Sequence, residues 1–275
     1  MIFGLAAAVA WGGGDFGGGL ASRRVPIYGV VLISQVTGLV GSFSIAMVRG
    51  ETLPTGNDLV VCAIGGALGA FGITMLYRGL AIGRMGIVAP VTGVLAAVIP
   101  VVAGFLLEGI PPPLVLVGIV VAVVAVVLVS RVADETGGRS GLVEALAGGT
   151  AIGLFGVAIS QLSPGDVFAD LAVIRLVQGL LVAGAVVLLR AAWRPGRSWL
   201  LPLVLIGILD TAGNGFYLAA VQTGQLAIAS VLSAMYPVVT VILAAVVLGE
   251  RVTRDHTVGI ALAGAAIALI GFGGA

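Results

Sequence analysis

Asp15, Arg175 and Asp210 are ionisable residues set inside long apolar stretches, and they are the residues from which chemistry could be made. An ionised group at the centre of a bilayer costs about 2.5–3.5 kcal/mol on insertion scales, so each needs a partner or a purpose. Asp15 sits in Trp11-Gly12-Gly13-Gly14-Asp15-Phe16-Gly17-Gly18-Gly19, an acid among six glycines. Glycine weakens a helix by up to ~1 kcal/mol each and allows close backbone approach or local unwinding. A glycine-interrupted span with an acid points to a solute site whose carboxyl could carry a proton, with Trp11 one turn away. The alternative is an acid at the membrane edge, or paired with an arginine, among glycines that only pack helices.

Asp210, Asn214 and Tyr217 fall at i, i+4 and i+7, on one helical face. Such a face lines a cavity or forms a hydrogen-bonded cluster between helices, because lipid cannot satisfy it. Arg175 and Gln178 share a face in the preceding apolar stretch. Arg175 would neutralise Asp210 or Asp15 or bind a substrate carboxylate, a structural ion pair being the simplest of these. Residue counting separates Asp15 and Asp210 by about 5 Å in depth, at 1.5 Å per residue, so both could meet one central cavity. Tyr236-Pro237 predicts a kink whose freed carbonyls either face that cavity or are packed away. Glu108 and Glu250 end their apolar runs, where pairing with a loop arginine such as Arg251 is expected.

Gly12-Gly13-Gly14-Asp15 also spells a GxGD string, and Asp210 would supply a second carboxylate, so an intramembrane aspartyl protease is a rival reading. In such proteases the partner acid comes first and follows a tyrosine, and a PAL motif lies downstream. Here the order is reversed, Leu209 precedes Asp210 and no PAL occurs. Cys62 lies in an apolar run as a packing residue, and His256 lies in a charged loop; one of each excludes a Cys/His metal cage. No phosphate-binding P-loop is present, and nothing calls for a cofactor. Every basic residue is an arginine, they are dispersed, and the net charge is +1, so no nucleic-acid partner is implied.

The elements that position these residues follow from composition. Of 275 residues, 60% are hydrophobic and 9% charged, with a mean hydropathy of +1.23. Soluble domains carry about 25% charged residues; a chain this apolar needs a lipid bilayer as solvent. At about 20 residues per span, ten spans are expected: 2–21, 27–48, 59–82, 86–106, 113–130, 141–161, 169–190, 200–222, 226–248 and 256–273. Met1 to Ala21 is a retained span rather than a cleaved signal, lacking a basic n-region and carrying Asp15. Loops are short, and no filter-like segment repeats between spans, leaving little for a channel or scaffold to work with.

The sequence repeats at an offset of 141 residues: Gly38 matches Gly179, Gly66 matches Gly207, Gly72 matches Gly213 and Gly83 matches Gly224. Val117-Gly118-Ile119 likewise matches Val258-Gly259-Ile260, and with one insertion Leu107-Glu108 meets Gly249-Glu250. The expectation is therefore an all-α integral membrane protein of ten transmembrane helices in two inverted five-helix repeats, 1–135 and 136–275. An odd number of spans per repeat inverts the second against the first, a plan common among secondary transporters. Odd-numbered loops hold Arg23, Arg24, Arg84, Arg131, Arg139, Arg190, Arg194, Arg197, Arg251 and Arg254, even-numbered ones only Arg49. By the positive-inside rule the odd loops are cytoplasmic and both termini lie outside.

Trp11-Gly12, Arg175 near the start of the seventh span, Tyr236-Pro237-Val238-Val239-Thr240 running to Leu248-Gly249-Glu250-Arg251, and Gly259 together resemble the EamA-type members of the drug/metabolite transporter superfamily. The resemblance covers both halves. It departs from the family pattern at Ser34, at Leu95 with Pro90 and Pro100 nearby, and at Phe155-Gly156 in place of Trp-Gly. It implies a carrier rather than an enzyme: a secondary active transporter of a small metabolite or drug-like molecule by alternating access, with proton coupling and export among its modes, in a plasma membrane of the bacterial inner-membrane kind. Family members usually keep both termini in the cytoplasm, opposite to the arginine bias here. The candidate substrate and proton site is Asp15, Trp11, Arg175, Gln178, Asp210, Asn214, Tyr217 and Tyr236. One arginine against two acids favours a zwitterion or a cation over a dianion.

Overall fold

Hydrocarbon offers no hydrogen bonds, so this chain must close its backbone bonds within helices. The structure, a computed structural model, describes residues 1–82, 85–129, 141–248 and 254–273. Within them run α1 (Ile2–Ser22), α2 (Ile27–Arg49), α3 (Gly56–Ile82), α4 (Met85–Leu107), α5 (Pro113–Val129), α6 (Leu142–Ile159), α7 (Val167–Leu189), α8 (Leu200–Gln222), α9 (Leu226–Ser233), α10 (Tyr236–Leu248) and α11 (Arg254–Gly273). A 3-10 turn, Arg197–Trp199, leads into α8. Arg84, the mid-chain stretch 131–140 with its expected boundary at 135/136, and Gly249-Glu250-Arg251 lie outside the described residues, as does the side chain of His256.

Every expected span meets a helix, and the ninth meets two. Its helix stops at Ser233, turns through Ala234 and Met235, and resumes at Tyr236. Pro237 has no N–H with which to continue the ladder to the Ser233 carbonyl, so the predicted kink is a full break. Counting α9 and α10 as one, ten span positions result. By length and composition α2, α3, α6, α7 and α8 with its lead-in turn can cross a membrane, and shorter apolar stretches lie in α4, α5, α9–α10 and α11. The glycines and Asp15 keep α1 out of that group.

The main contacts cross between halves. α1 packs on α8 as α3 packs on α6; α2 packs on α8 as α3 packs on α7; α4 lies on α6 as α1 lies on α9 and α10; α2 pairs with α7 and α5 with α11. Contacts within a half are slight by comparison. One apolar cluster joins α1, α4, α5, α9, α10 and α11 around Leu232 and Ile270. Another gathers Val30, Tyr77 and Leu203, and a third gathers buried Cys62, Ile159 and Leu226.

One end of the bundle is latched by carboxylates. The C-terminus of α2 closes on left-handed Gly50 (φ 68°), and the Glu51 N–H returns to the Ala46 carbonyl at 2.9 Å. That turn aims Glu51 Oε2 at the start of α7, where it accepts the Phe168 and Ala169 N–H groups at 2.8 and 2.9 Å. Thr52 donates to Asp166 at 2.6 Å, and Asp58 accepts the Ser163 N–H at 3.3 Å. Glu108 takes a role that the sequence did not mark, and its expected partner Arg251 lies outside the described residues. Its carboxylate accepts the Leu226 N–H at 2.9 and 3.1 Å, so it caps α9, and among the described residues no arginine pairs with it. A helix start offers free N–H groups and a partial positive charge, which an acid from another helix satisfies.

Candidate functional site

The α7 face predicted from Arg175 and Gln178 is buried; Arg175 is 2% exposed. Its Nη1 donates to Asp210 Oδ2 at 2.6 Å, to Gln35 Oε1 at 2.7 Å and to Gln178 Oε1 at 3.2 Å. The side chain of Asp210 is 20% exposed, the open partner of the pair. Arg175 thus neutralises Asp210, the simplest of its expected roles. Asn214 and Tyr217 lie buried along the same face of α8.

Asp15 differs from Asp210. Gly14 brings α1 against the Asp210 backbone, with only 3.6 Å between a Cβ built there and the Asp210 nitrogen. The two acids therefore stand on adjoining helices. Asp15 is partly exposed, and among the described residues no cation lies within ion-pair distance of it.

Gly12 shows why this stretch carries so many glycines. A Cβ there would lie 2.6 Å from Val239 Cβ and 2.7 Å from the Tyr236 carbonyl oxygen, so only glycine lets α1 reach the start of α10. Thr240 Oγ1 spans the junction, 3.1 Å from both the Gly12 and Tyr236 carbonyls. Trp11 rests on Gly213, its ring 5.6 Å from that of Tyr217 and tilted by 37°. The Tyr217 hydroxyl bonds Ser230 Oγ at 2.9 Å.

All eight sequence-predicted residues line one cavity of about 100 Å³ between the two halves. That volume holds several waters or a small solute, since a single water needs about 10–15 Å³ on this measure. Gln35, Ser230 and Ser233 also line it and escaped sequence analysis. Neutral polar residues are common in spans, and only Arg175's need for acceptors singles out Gln35, 140 positions away in the chain.

The sequence model described as the EamA-like transporter family matches residues 1–131 and again 139–272. The chain belongs to the EamA-like transporter family. It is therefore a membrane-embedded transporter of the drug/metabolite type, and a small-molecule substrate follows from that membership. No curated protein matches the sequence. A solved structure described only as a crystal structure of a protein superposes with a TM-score of 0.79 over 98% of this chain and 94% of that one, at 19% identity. That likeness shows a shared fold. In this EamA-like chain Tyr236-Pro237 opens α10 just after the break from α9, and Arg175 forms the ion pair at the cavity.

Proposed function

We propose that this transporter is a secondary carrier for a small cationic or zwitterionic solute, which binds in the cavity between two inverted five-helix repeats, 1–135 and 136–275, and crosses by alternating access. The observation that carries the reading is the convergence of Trp11, Asp15, Arg175, Asp210, Tyr217 and Tyr236 on one cavity in the middle of apolar helices. The symmetric pairing of helices across the halves supports the inverted repeat. The broken helix beside the cavity supports a solute site there, because non-helical backbone within a membrane is tolerated where it lines water or is buried in protein.

The two acids divide the work. Asp210 is held by Arg175 as a fixed, neutralised pair. Asp15 has no such partner among the described residues and is the residue that exchanges a proton or meets the solute's positive charge. Trp11 and Tyr217 offer flat faces to an organic cation. In this reading the carboxylate latch closes the Glu51 side, the solute enters from the arginine-rich side, and the arginine bias makes that side cytoplasmic, with both termini outside. A protease dyad fits less well, because Asp210 is committed to a guanidinium instead of sharing a proton with Asp15.

Flux into proteoliposomes tests this. A panel of cationic and zwitterionic solutes is expected to include one with saturable uptake driven by a pH gradient, and Asp15→Asn is expected to abolish that coupling while the protein still inserts. Coupled flux unchanged in Asp15→Asn would remove Asp15 from the mechanism. No flux of any solute from folded protein would overturn the carrier reading.

A further inference from the structure

Gln35 and Gln178 both line the cavity, and they are only 1% and 3% exposed. Each gives its Oε1 to Arg175 Nη1, at 2.7 and 3.2 Å. That orientation is forced, because a guanidinium donates and never accepts. The amide nitrogens are left over. Among the described residues neither Nε2 donates to a protein acceptor, yet neither is sealed: the sealed atoms without a partner are Ser42 Oγ, Thr211 Oγ1, Arg175 Nε and Arg175 Nη2. Gly69 shows where the Gln178 amide ends. A Cβ on Gly69 would collide with Gln178 Nε2, and Gly69 is itself part of the cavity wall.

Arg175 therefore does more than neutralise Asp210. It holds two neutral amides so that their donors reach the cavity that Asp15 and Asp210 also line. A donor in a cavity is hydrated until a solute displaces the water, and the solute must then bring an acceptor. A simple organic cation brings none and leaves two buried donors unmet. A bare anion brings acceptors but lies near Asp15 without a counter-charge, because Arg175, the cation in the wall, is spent on Asp210. A zwitterion meets both demands, with acceptors for the amides and a positive charge for the acid.

We propose that Gln35 and Gln178 form a donor pair that receives the carboxylate of a compact zwitterionic solute, whose ammonium is met by Asp15, and that this pair makes the carrier select zwitterions over organic cations. The proposal rests on the cavity's being the solute site and narrows the solute from cation or zwitterion to zwitterion.

Calorimetric binding to the full chain in nanodiscs tests it with matched probes that differ by the carboxylate alone: γ-aminobutyrate with propylamine, leucine with isopentylamine, and phenylalanine with phenylethylamine. In at least one pair the zwitterion is expected to bind about tenfold tighter than its amine, or more. Gln178→Met removes the donor while Gln35 and Asp210 still hold Arg175, and is expected to erase that preference by weakening the zwitterion and not the amine. Gln178→Glu keeps an oxygen for Arg175 but offers the cavity a carboxylate oxygen, and is expected to reverse the preference. Amines that bind as tightly as their zwitterions in every pair would overturn the proposal while leaving a cation carrier standing, and this wild-type comparison holds even if a variant fails to fold. A zwitterion preference that survives both variants would also overturn it. Binding of neither member of any pair to folded protein would overturn the donor pair, and the uptake panel then decides separately whether the carrier reading falls with it.

Discussion

The two halves contribute unequally to the cavity between them. Of the polar and aromatic side chains, the second half supplies Arg175, Gln178, Asp210, Asn214, Tyr217, Ser230, Ser233 and Tyr236, whereas the first supplies Trp11, Asp15 and Gln35 against a wall of Gly69, Ile73, Leu76, Ala96 and Pro100. The helix breaks differ too: α9 and α10 are interrupted at Ala234–Met235, while α4 is assigned as a continuous helix from Met85 to Leu107. Helix packing is nevertheless symmetric across the halves. A symmetric packing plan has therefore not required a symmetric site. Packing depends on small residues repeated in both halves, while charge placement depends on single positions, and Ser34 stands in the first half where an arginine would complete the symmetry. Among the described residues the first half brings an acid without an ion-pair partner, and the second brings a neutralised one.

The largest expected effect removes the polar anchor of the second half. Arg175→Ala leaves Asp210 without its cation and should cost about 3–5 kcal/mol, read as lost monodisperse protein or a lowered Tm in detergent. Adding Asp210→Asn should restore much of that stability without restoring transport. If Arg175→Ala alone is as stable as the wild type, the pair is not the anchor described. Next, Gly12→Val drives a branched side chain into Val239 and the Tyr236 carbonyl. It should cost about 1–3 kcal/mol by overpacking, whereas the same change at Gly19, which has nothing within 4 Å, should be tolerated far better. Equal losses at the two positions would mean that helix propensity, not the α1–α10 approach, explains the glycines.

The fold was legible because apolar runs of span length punctuated by Arg, Pro and Gly have few other uses. The break in the ninth span was legible from Pro237, which removes a specific backbone donor. The charged members of the site were legible because an ionised group in an apolar helix is expensive and therefore conspicuous. Gln35, Ser230 and Ser233 were not, since their cost is small and nothing local marks them. The latch was hidden for another reason. Glu51 meets Phe168 and Ala169, and Glu108 meets Leu226, across more than a hundred residues; before folding each looks like an ordinary end charge.

Two smaller predictions sharpen the comparison between halves. Gln35→Leu removes the first half's acceptor for Arg175 and should cost about 1 kcal/mol. A neutral outcome would leave Arg175 entirely a second-half affair. At the matching helix ends, α2 closes on left-handed Gly50, whereas α7 closes on Arg190 with φ 48°, the only non-glycine at positive φ among the described residues. Arg190→Gly should therefore raise stability by about 0.5 kcal/mol, as relief of the left-handed penalty outweighs the added chain entropy. A lowered Tm would show that the Arg190 side chain contributes more than its backbone strain costs.

The central claim is that the cavity between the halves opens to one side of the membrane at a time. Ile73 lines it from the first half, and buried Cys62 is the sole cysteine, so Ile73→Cys in a Cys62→Ala background can report its access through a membrane-impermeant maleimide applied to each face. The account predicts labelling from the arginine-rich face with the Glu51 face closed, and a reversal of access when a transported solute or an imposed pH gradient drives the cycle. Labelling from both faces at once would describe a channel, and labelling from neither in a folded, inserted protein would contradict the carrier.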